Sequence, residues 1–136
     1  MAHETQLKVR TYECDEYGHV NNAIYLNYLE HARVEFLDAV HFPYRELRLK
    51  GFGVVVTEIS IKYHRELIPG DLILIHTVPE KIENISGIFK QTITRNSELI
   101  AEAKVRWAFL DAQGRPCRLL EEHKKALQIE QQTGNA

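Results

Sequence analysis

The stretch that decides the fold joins a glycine-containing loop to a long amphipathic run, and it reads Tyr12-Glu13-Cys14-Asp15-Glu16-Tyr17-Gly18-His19-Val20-Asn21-Asn22-Ala23-Ile24-Tyr25. Over residues 22–40, apolar residues recur at every third or fourth position, which is typical of a helix with one apolar face. Asn21 or Asn22 is a suitable N-cap for that helix. The sequence therefore places an acidic residue, a glycine turn and a histidine directly before the main helix.

The residue types in this loop suggest a chemistry. The first turn of a helix carries backbone N–H groups without intrahelical partners, and they can stabilise an oxygen that becomes negative. A carboxylate beside such a site provides what acyl hydrolysis requires. Asp15 is therefore a candidate catalytic residue, the backbone N–H of Asn22 a candidate oxyanion donor, and Gly18 the residue that lets the backbone turn between them.

The rest of the chain has the period-two alternation of strands. Before the helix, residues 6–13 predict one strand, and after it the alternation predicts four more, over residues 55–63, 72–82, 87–95 and 98–110. Pro79 indicates an edge or a bulge in the second of these four, and Pro43 marks the exit loop of the main helix. A last helix is expected over residues 119–131. The pattern predicts an α+β fold with a helix on one face of an antiparallel sheet.

Composition places the chain among ordinary globular proteins. Residues 1–136 are expected to form a single domain with a short flexible tail from about residue 128. Apolar residues make up 44% and charged residues 26%, and the formal charge of −2 gives no indication of a nucleic-acid partner. No apolar run is long enough for a membrane span or a signal peptide, so we expect a soluble, cytoplasmic protein without membrane insertion.

Several motifs resemble the hydroxybenzoyl-CoA thioesterase family of hotdog-fold proteins. The matching residues are Cys14-Asp15-x-x-Gly18-x-Val20, Asn22-x-x-Tyr25, Glu30-x-Ala32-Arg33 and Pro69-Gly70-Asp71. The resemblance implies a hotdog fold, in which an antiparallel five-stranded sheet wraps around one long central helix. The segment Gly18-His19-Val20-Asn21-Asn22 also resembles the His-Val-Asn-Asn motif of plant-type acyl-carrier-protein thioesterases.

The resemblance implies an acyl-CoA thioesterase that needs no cofactor, with coenzyme A as part of the substrate. Asp15 would be the catalytic carboxylate, as nucleophile or as general base, and His19 a second catalytic residue. Asn22, Gly18 and Tyr25 would form the oxyanion and substrate-binding site. Two positions depart from the pattern: Glu13 replaces a frequent aspartate, and Tyr17 stands where the plant-type relatives carry a catalytic asparagine.

Further expectations concern alternative functions, the oligomeric state and single residues. The chain could instead hydrolyse acyl-carrier-protein thioesters, or bind acyl groups without catalysis, and the sequence leaves the acyl group open. One helix cannot cover five strands, so a homodimer or homotetramer is expected. The seven histidines form no HxH or HExxH pattern, so no metal is expected, while Arg33 is expected to form an ion pair on the helix and Glu30 to have a structural role.

Overall fold

The computed structural model describes residues 3–131. Within that range the regular elements are β1 (His3–Lys8), α1 (Ile24–Ala39), α2 (Tyr44–Leu49), β2 (Gly53–Tyr63), β3 (Leu72–Ile82), β4 (Ser86–Arg95), β5 (Glu98–Leu110) and α3 (Glu121–Ile129). A single 3-10 turn, Thr11–Glu13, stands between β1 and α1. The predicted order of strand, main helix, four strands and last helix is confirmed, with α2 as an addition.

The five strands form one antiparallel sheet in the order β1-β3-β4-β5-β2. Strands β3, β4 and β5 are neighbours in sequence and in space, whereas β1 and β2 are the two edges. A bulge follows Pro79, and within the described residues β1 pairs with β3 from Leu72 to Thr77, so the proline lies where its missing N–H is tolerated. The predicted antiparallel five-stranded sheet is confirmed.

Helix α1, with 16 residues the longest helix of the described range, packs the predicted apolar stripe on the sheet. It lies over β1 and β3. Burying one such apolar side chain stabilises the fold by ~1.5–3 kcal/mol. The stripe therefore fixes the position of the helix N-terminus, and its buried members are Tyr25, Tyr28, Leu29, Ala32 and Phe36.

The first strand is shorter than the alternation predicts. β1 ends at Lys8, and the second half of the predicted strand over residues 6–13 contains the 3-10 turn instead. The reason is a side-chain hydrogen bond, because the Arg10 N–H donates to the Glu13 carboxylate at 2.7 Å. A side chain thus takes the donor that a strand would use, and the chain turns away from the sheet toward α1.

The predictions for the exit loop after the main helix and for the bounds of the last helix need correction. The region after Pro43, predicted as an exit loop, contains α2, whose six residues are too few for a periodic pattern to reveal. The last helix covers Glu121–Ile129 rather than residues 119–131. Residue 128 accordingly belongs to α3 and not to the predicted tail, and residues 132–136 of that tail lie outside the described range.

Two bulges change which side chains face the core. Thr57 in β2 and Ile100 in β5 are the extra residues, and neither has a neighbouring glycine or proline that would reveal it. As a result Val55 and Leu99, which an unbroken alternation would place on the inward face with Ile59 and Ala101, are 38% and 37% exposed, whereas Ile100 is fully buried. After the bulge at Ile100 the predicted alternation of β5 holds, since Ala101 and every second residue after it up to position 109 are buried.

Candidate active site

The loop before α1 is a tight hairpin closed by backbone hydrogen bonds. Asp15 N donates to His19 O at 2.8 Å, and Gly18 N donates to Asp15 O at 3.0 Å. Cys14 and Val20 form an isolated antiparallel bridge at the base of this hairpin. Gly18 has a φ of 78°, which glycine adopts without steric cost. The turn therefore holds Asp15 and His19 next to each other.

The carboxylate of Asp15 is exposed and has a local structural role as well. Its Oδ1 accepts a hydrogen bond from the Tyr17 N–H at 2.9 Å, as in many aspartates that stabilise a turn. Among residues 3–131, Oδ2 has no hydrogen-bond partner. One carboxylate oxygen thus fixes the side-chain orientation while the other is available.

A cavity of about 410 Å³ lies in front of the α1 N-terminus. It brings together four residues that the sequence singles out, namely Asp15, His19, Asn22 and Tyr25. Gly18 does not line the cavity and acts through the turn. The remaining wall comes from Val20 and from residues at the end of β2 and beyond it, Tyr63, His64, Arg65 and Glu66.

The capping of α1 differs in detail from the expectation. The N-cap is Ala23, which has no side-chain cap hydrogen bond, so the cap predicted at Asn21 or Asn22 lies one or two residues too early. Asn21 instead forms a turn before the helix: its Oδ1 accepts from the Ala23 N–H and its backbone O from the Ile24 N–H, both at 2.9 Å. The backbone N–H of Asn22 donates no hydrogen bond within the part of the chain that the structure describes. Asn22 is also one of the residues that line the cavity.

Two tyrosines form the floor between α1 and β2. The rings of Tyr25 and Tyr63 meet edge to face with centroids 4.9 Å apart, and the Tyr63 hydroxyl donates to Asn22 O at 2.9 Å. Burial, with a smaller contribution from Tyr63, raises the pKa of Tyr25 to about 12, and burial also raises the pKa of Tyr63. Both phenols are therefore protonated at neutral pH and can donate hydrogen bonds but cannot act as bases.

Glu66 is a residue of the cavity wall that the sequence did not single out. Its Oε2 lies 3.0 Å from His19 Nε2, so a carboxylate orients the imidazole at the cavity wall. His64 and Arg65 also line the cavity and are paired with carboxylates of β5. No local signal links Glu66 to a histidine 47 residues earlier in the chain, and only the strand order brings the two together.

The segment that carries Glu66 is held in place by Arg95 of β4. Arg95 Nη1 donates to Glu66 O at 3.1 Å and to Asp71 Oδ2 at 2.8 Å. The same Asp71 oxygen accepts from the Ile68 N–H, and Val20 N donates to Leu67 O, each at 2.9 Å. The Pro69-Gly70-Asp71 motif thus supports the site from behind by fixing the segment that faces His19.

A buried carboxylate anchors the base of the loop. Glu13, 5% exposed, accepts hydrogen bonds from the Arg10 backbone at 2.7 Å, from Arg10 Nε at 2.9 Å and from the Tyr28 hydroxyl at 2.8 Å. Burial alone would raise the pKa of Glu13, but these donors and the guanidinium outweigh it and lower the pKa. Because Tyr28 belongs to α1, Glu13 ties the loop to the helix. Glu13 O also accepts from the Asn21 N–H, which closes the loop at its other end.

Two kinds of feature are absent from the described residues. Among residues 3–131, no three side chains of histidine, cysteine, aspartate or glutamate lie close enough together to hold a metal ion. No helix within these residues is long and apolar enough to cross a membrane.

Comparison with known proteins identifies the family of the chain. Residues 9–130 match the family model described as the thioesterase-like superfamily. The chain is 38% identical to the acyl-acyl carrier protein thioesterase ATL2 of Arabidopsis thaliana over 86% of its length, but it spans only 63% of that protein. It is 34% identical to the long-chain acyl-CoA thioesterase FadM of Escherichia coli, covering 87% of this chain and 90% of FadM.

A solved structure of a thioesterase shares the fold. The crystal structure of a probable thioesterase from Bartonella henselae superposes with a TM-score of 0.83 at 27% identity, over 88% of this chain and 100% of that one. The antiparallel five-stranded sheet with a helix on it accordingly represents the expected hotdog type of fold. The chain belongs to the thioesterase-like superfamily.

Proposed function

We propose that this protein hydrolyses acyl thioesters, with acyl-CoA as the substrate, in the cavity before α1. One observation carries the proposal: a carboxylate with an unoccupied oxygen and a backbone N–H without an acceptor line the same cavity. Catalysis of this kind needs a group that adds to the carbonyl carbon or activates water, and a donor for the oxygen that becomes negative. Asp15 would be the first group, and the Asn22 N–H the second.

Two routes are consistent with this arrangement. In one, Asp15 attacks the carbonyl carbon, the thiolate leaves, and water hydrolyses the resulting anhydride. In the other, Asp15 takes a proton from water as the water oxygen attacks, and the tetrahedral intermediate expels the thiolate. Both routes give the free acid and the thiol, and both place the carbonyl oxygen at the Asn22 N–H, with the α1 dipole favouring its negative charge.

His19 and the tyrosines would orient the substrate. Glu66 Oε2 lies 3.0 Å from His19 Nε2, and the His19 ring would contact the leaving sulfur or a phosphate of the substrate. Tyr25 and Tyr63 contribute an apolar wall with protonated hydroxyls. Arg65 lies at the cavity mouth, although its guanidinium already pairs with Glu98 at 3.0 Å.

An acyl-carrier-protein substrate is the second candidate, favoured by the similarity to ATL2. Binding of acyl groups without catalysis is the third, since Asp15 has a turn-stabilising contact that a non-catalytic aspartate would also make. Hydrolysis rates measured under the same conditions on acyl-CoA and acyl-carrier-protein substrates with the same acyl group distinguish the first two candidates. Measurable binding without turnover on either substrate would favour the third.

Several finer expectations remain proposals. We place the chain in the hydroxybenzoyl-CoA thioesterase branch, with α1 as the long central helix of a hotdog fold, in the cytoplasm. A homodimer or homotetramer is supported by β2, an 11-residue edge strand on which Val55 and Val56 are exposed. Sedimentation at several protein concentrations tests the oligomeric state.

The decisive experiment compares Asp15→Asn with Glu16→Gln on a panel of aryl-, short-, medium- and long-chain acyl-CoAs. The asparagine retains an oxygen for the Tyr17 N–H, so the turn is preserved while the negative charge is lost. General base or nucleophilic catalysis contributes about 100- to 10,000-fold, and kcat should fall accordingly. Glu16, exposed and outside the cavity wall, serves as the charge-matched control with unchanged kcat. Equal turnover by the wild type and Asp15→Asn would exclude Asp15 from the reaction.

A further inference from the structure

Arg33 does not form the ion pair that its place on the helix predicts. Its Nη1 donates to Gln91 Oε1 at 3.1 Å, and among residues 3–131 no carboxylate lies within ion-pair distance of the guanidinium. Gln91 belongs to β4, and its side chain is fully buried. Helix α1 therefore contacts the sheet through a buried amide as well as through its apolar stripe.

The Gln91 amide bonds to α1 at two points that lie one helical turn apart. Its Nε2 donates to Leu29 O at 3.0 Å, and its Oε1 accepts from Arg33. The second Nε2 hydrogen bond goes to Thr77 Oγ1 of β3, also at 3.0 Å. Both N–H groups of the amide are thus in use. Because a buried donor that loses its partner is costly, the amide is held in one orientation.

These are the only hydrogen bonds between α1 and a strand in the part of the chain that the structure describes. Elsewhere the contact is apolar and falls into two clusters, and Gln91 lies between them, with Ile93 of β4 in one and Phe89 in the other. Hydrophobic burial has no directional preference, so it holds a helix on a sheet without sharply fixing its position along its own axis. A hydrogen bond shielded from water depends on distance and angle and does fix that position.

The position of α1 matters because the two groups proposed for catalysis are attached differently. The loop that carries Asp15 is joined to the segment after β2, where Val20 N donates to Leu67 O at 2.9 Å. Asn22 precedes the first turn of α1 and follows the helix. Its own contact with β2 is the Tyr63 hydroxyl, whose residue is 44% exposed, so water competes for that bond. An axial shift of α1 would therefore change the distance between the Asp15 carboxylate and the Asn22 N–H.

We propose that Gln91 is a positioning residue, which fixes α1 along its axis on the sheet and thereby places the Asn22 N–H relative to the Asp15 carboxylate. A displacement of about 1 Å between reacting groups can lower a rate about 100-fold. The placement of the helix does not depend on any reaction, whereas its effect on turnover rests on the function proposed above.

The test compares Gln91→Met with two controls in the full chain. Methionine has a similar length but no amide, so both hydrogen bonds to α1 are lost. Ile93→Val shortens a fully buried side chain on the same face of β4 without touching a hydrogen bond. Thr77→Val removes the bond of Gln91 to β3 and leaves both bonds to α1. All three variants should unfold at a lower urea concentration than the wild type, but only Gln91→Met should displace α1.

A measurement that is independent of catalysis reports the displacement. Tyr25 of α1 and Tyr63 of β2 meet edge to face with ring centroids 4.9 Å apart, so their ring protons should give a nuclear Overhauser effect. This signal should lose intensity in Gln91→Met and keep it in Ile93→Val and Thr77→Val. An unchanged signal in Gln91→Met would overturn the proposal, whether or not the wild type hydrolyses thioesters.

The kinetic part uses acyl-CoA at a temperature where all variants are folded. Gln91→Met should lower kcat about 10- to 100-fold with KM changed only a few-fold, because the groups that line the cavity are all retained. The two controls should keep kcat within about twofold, as expected of core changes that leave the reacting groups in place. An equal fall of kcat in Thr77→Val and Gln91→Met would assign the effect to a lost buried hydrogen bond and refute the role in positioning.

Two further outcomes remain distinguishable. A wild type without turnover on any acyl-CoA would contradict the proposed function, and the Tyr25–Tyr63 signal alone would then decide the role of Gln91. If Gln91→Met does not fold, Gln91→Glu replaces it, since its carboxylate keeps an acceptor for Arg33 and has no N–H for Leu29 O. The Tyr25–Tyr63 signal should weaken in that variant too, and a signal of wild-type intensity would refute the proposal.

Discussion

The base and the tip of the loop before α1 each carry a carboxylate, and the two have opposite environments. Glu13, at the base, is buried and accepts three hydrogen bonds from Arg10 and Tyr28. Asp15, two residues later at the tip, is exposed, accepts one hydrogen bond from a turn N–H and has an oxygen without a partner. The hydrogen-bonding capacity of Glu13 is used within the fold, whereas Asp15 keeps one oxygen for a ligand.

This difference shows that position along the loop, and not residue type, separates an anchor from a candidate catalyst. Buried carboxylates that are fully hydrogen-bonded stabilise a fold and cannot approach a substrate. An exposed one contributes little to stability and can react, provided that the backbone holds it still. Glu13 supplies that rigidity, because it joins the loop to α1 at Tyr28 and to Asn21 at the start of the helix.

The largest expected effect is the loss of activity on substitution of Asp15, which should leave stability unchanged. Asp15→Asn should lower kcat about 100-fold or more while its free energy of unfolding stays within about 0.5 kcal/mol of the wild type, as for other exposed substitutions. Urea denaturation and steady-state kinetics on the same preparation check both halves. A fall in stability that matches the loss of activity would make Asp15 a structural residue and remove the contrast with Glu13.

Glu13→Gln should show the reverse pattern. The amide leaves the Arg10 guanidinium without a charged partner and places an NH₂ group among donors, so we expect a loss of about 2–3 kcal/mol in the free energy of unfolding. The loop should then be less rigid, and kcat should fall by a smaller factor than in Asp15→Asn. Glu16→Gln, at an exposed position of the same loop, is the control for stability. If both glutamine variants unfold at the same urea concentration, Glu13 is not an anchor.

The pH dependence of stability sharpens the role of Glu13. Its pKa is lowered in the folded protein, so its ionised form stabilises the fold at pH values above the unfolded pKa of about 4.3, and this contribution is lost as the pH falls through the folded pKa. The difference in unfolding free energy between the wild type and Glu13→Gln should therefore be largest at pH 7 and shrink below pH ~4. A difference that is constant over this range would contradict the assigned ionisation.

The parts of the molecule that sequence predicts well are those in which local spacing decides. The apolar stripe of α1 needs only a helical period to be visible, and Asp15, His19, Asn22 and Tyr25 lie within 11 residues, so their proximity at one cavity follows from one loop and one helix start. Pro79 reveals its bulge because the residue lacks an N–H.

The parts that sequence does not predict depend on pairing between distant segments. Glu66 reaches His19 only because the strand order β1-β3-β4-β5-β2 places the end of β2 beside the α1 N-terminus. The bulges at Thr57 and Ile100 have no residue that signals them, and Arg33 shows no sign in the sequence that its neighbour in space is Gln91 rather than a carboxylate. Tertiary contacts override local preference at each of these positions.

The smallest expected effect concerns Gly18 at the tip of the loop, where the backbone conformation and not a side-chain contact fixes the turn. Gly18→Ala forces a Cβ into a φ of 78°, at a cost of about 1–2 kcal/mol, although the space around that Cβ is open and no clash adds to the strain. Gly53→Ala is the matched control, since its Cβ also meets no atom within 4 Å and its φ is not in the left-handed region. Because the turn at Gly18 holds Asp15 beside His19, the loss of stability should come with a several-fold fall in kcat, whereas Gly53→Ala should change neither. A Gly18→Ala variant with unaltered kcat would mean that the tip of the loop tolerates displacement, and the rigidity attributed to its base would then have no bearing on catalysis.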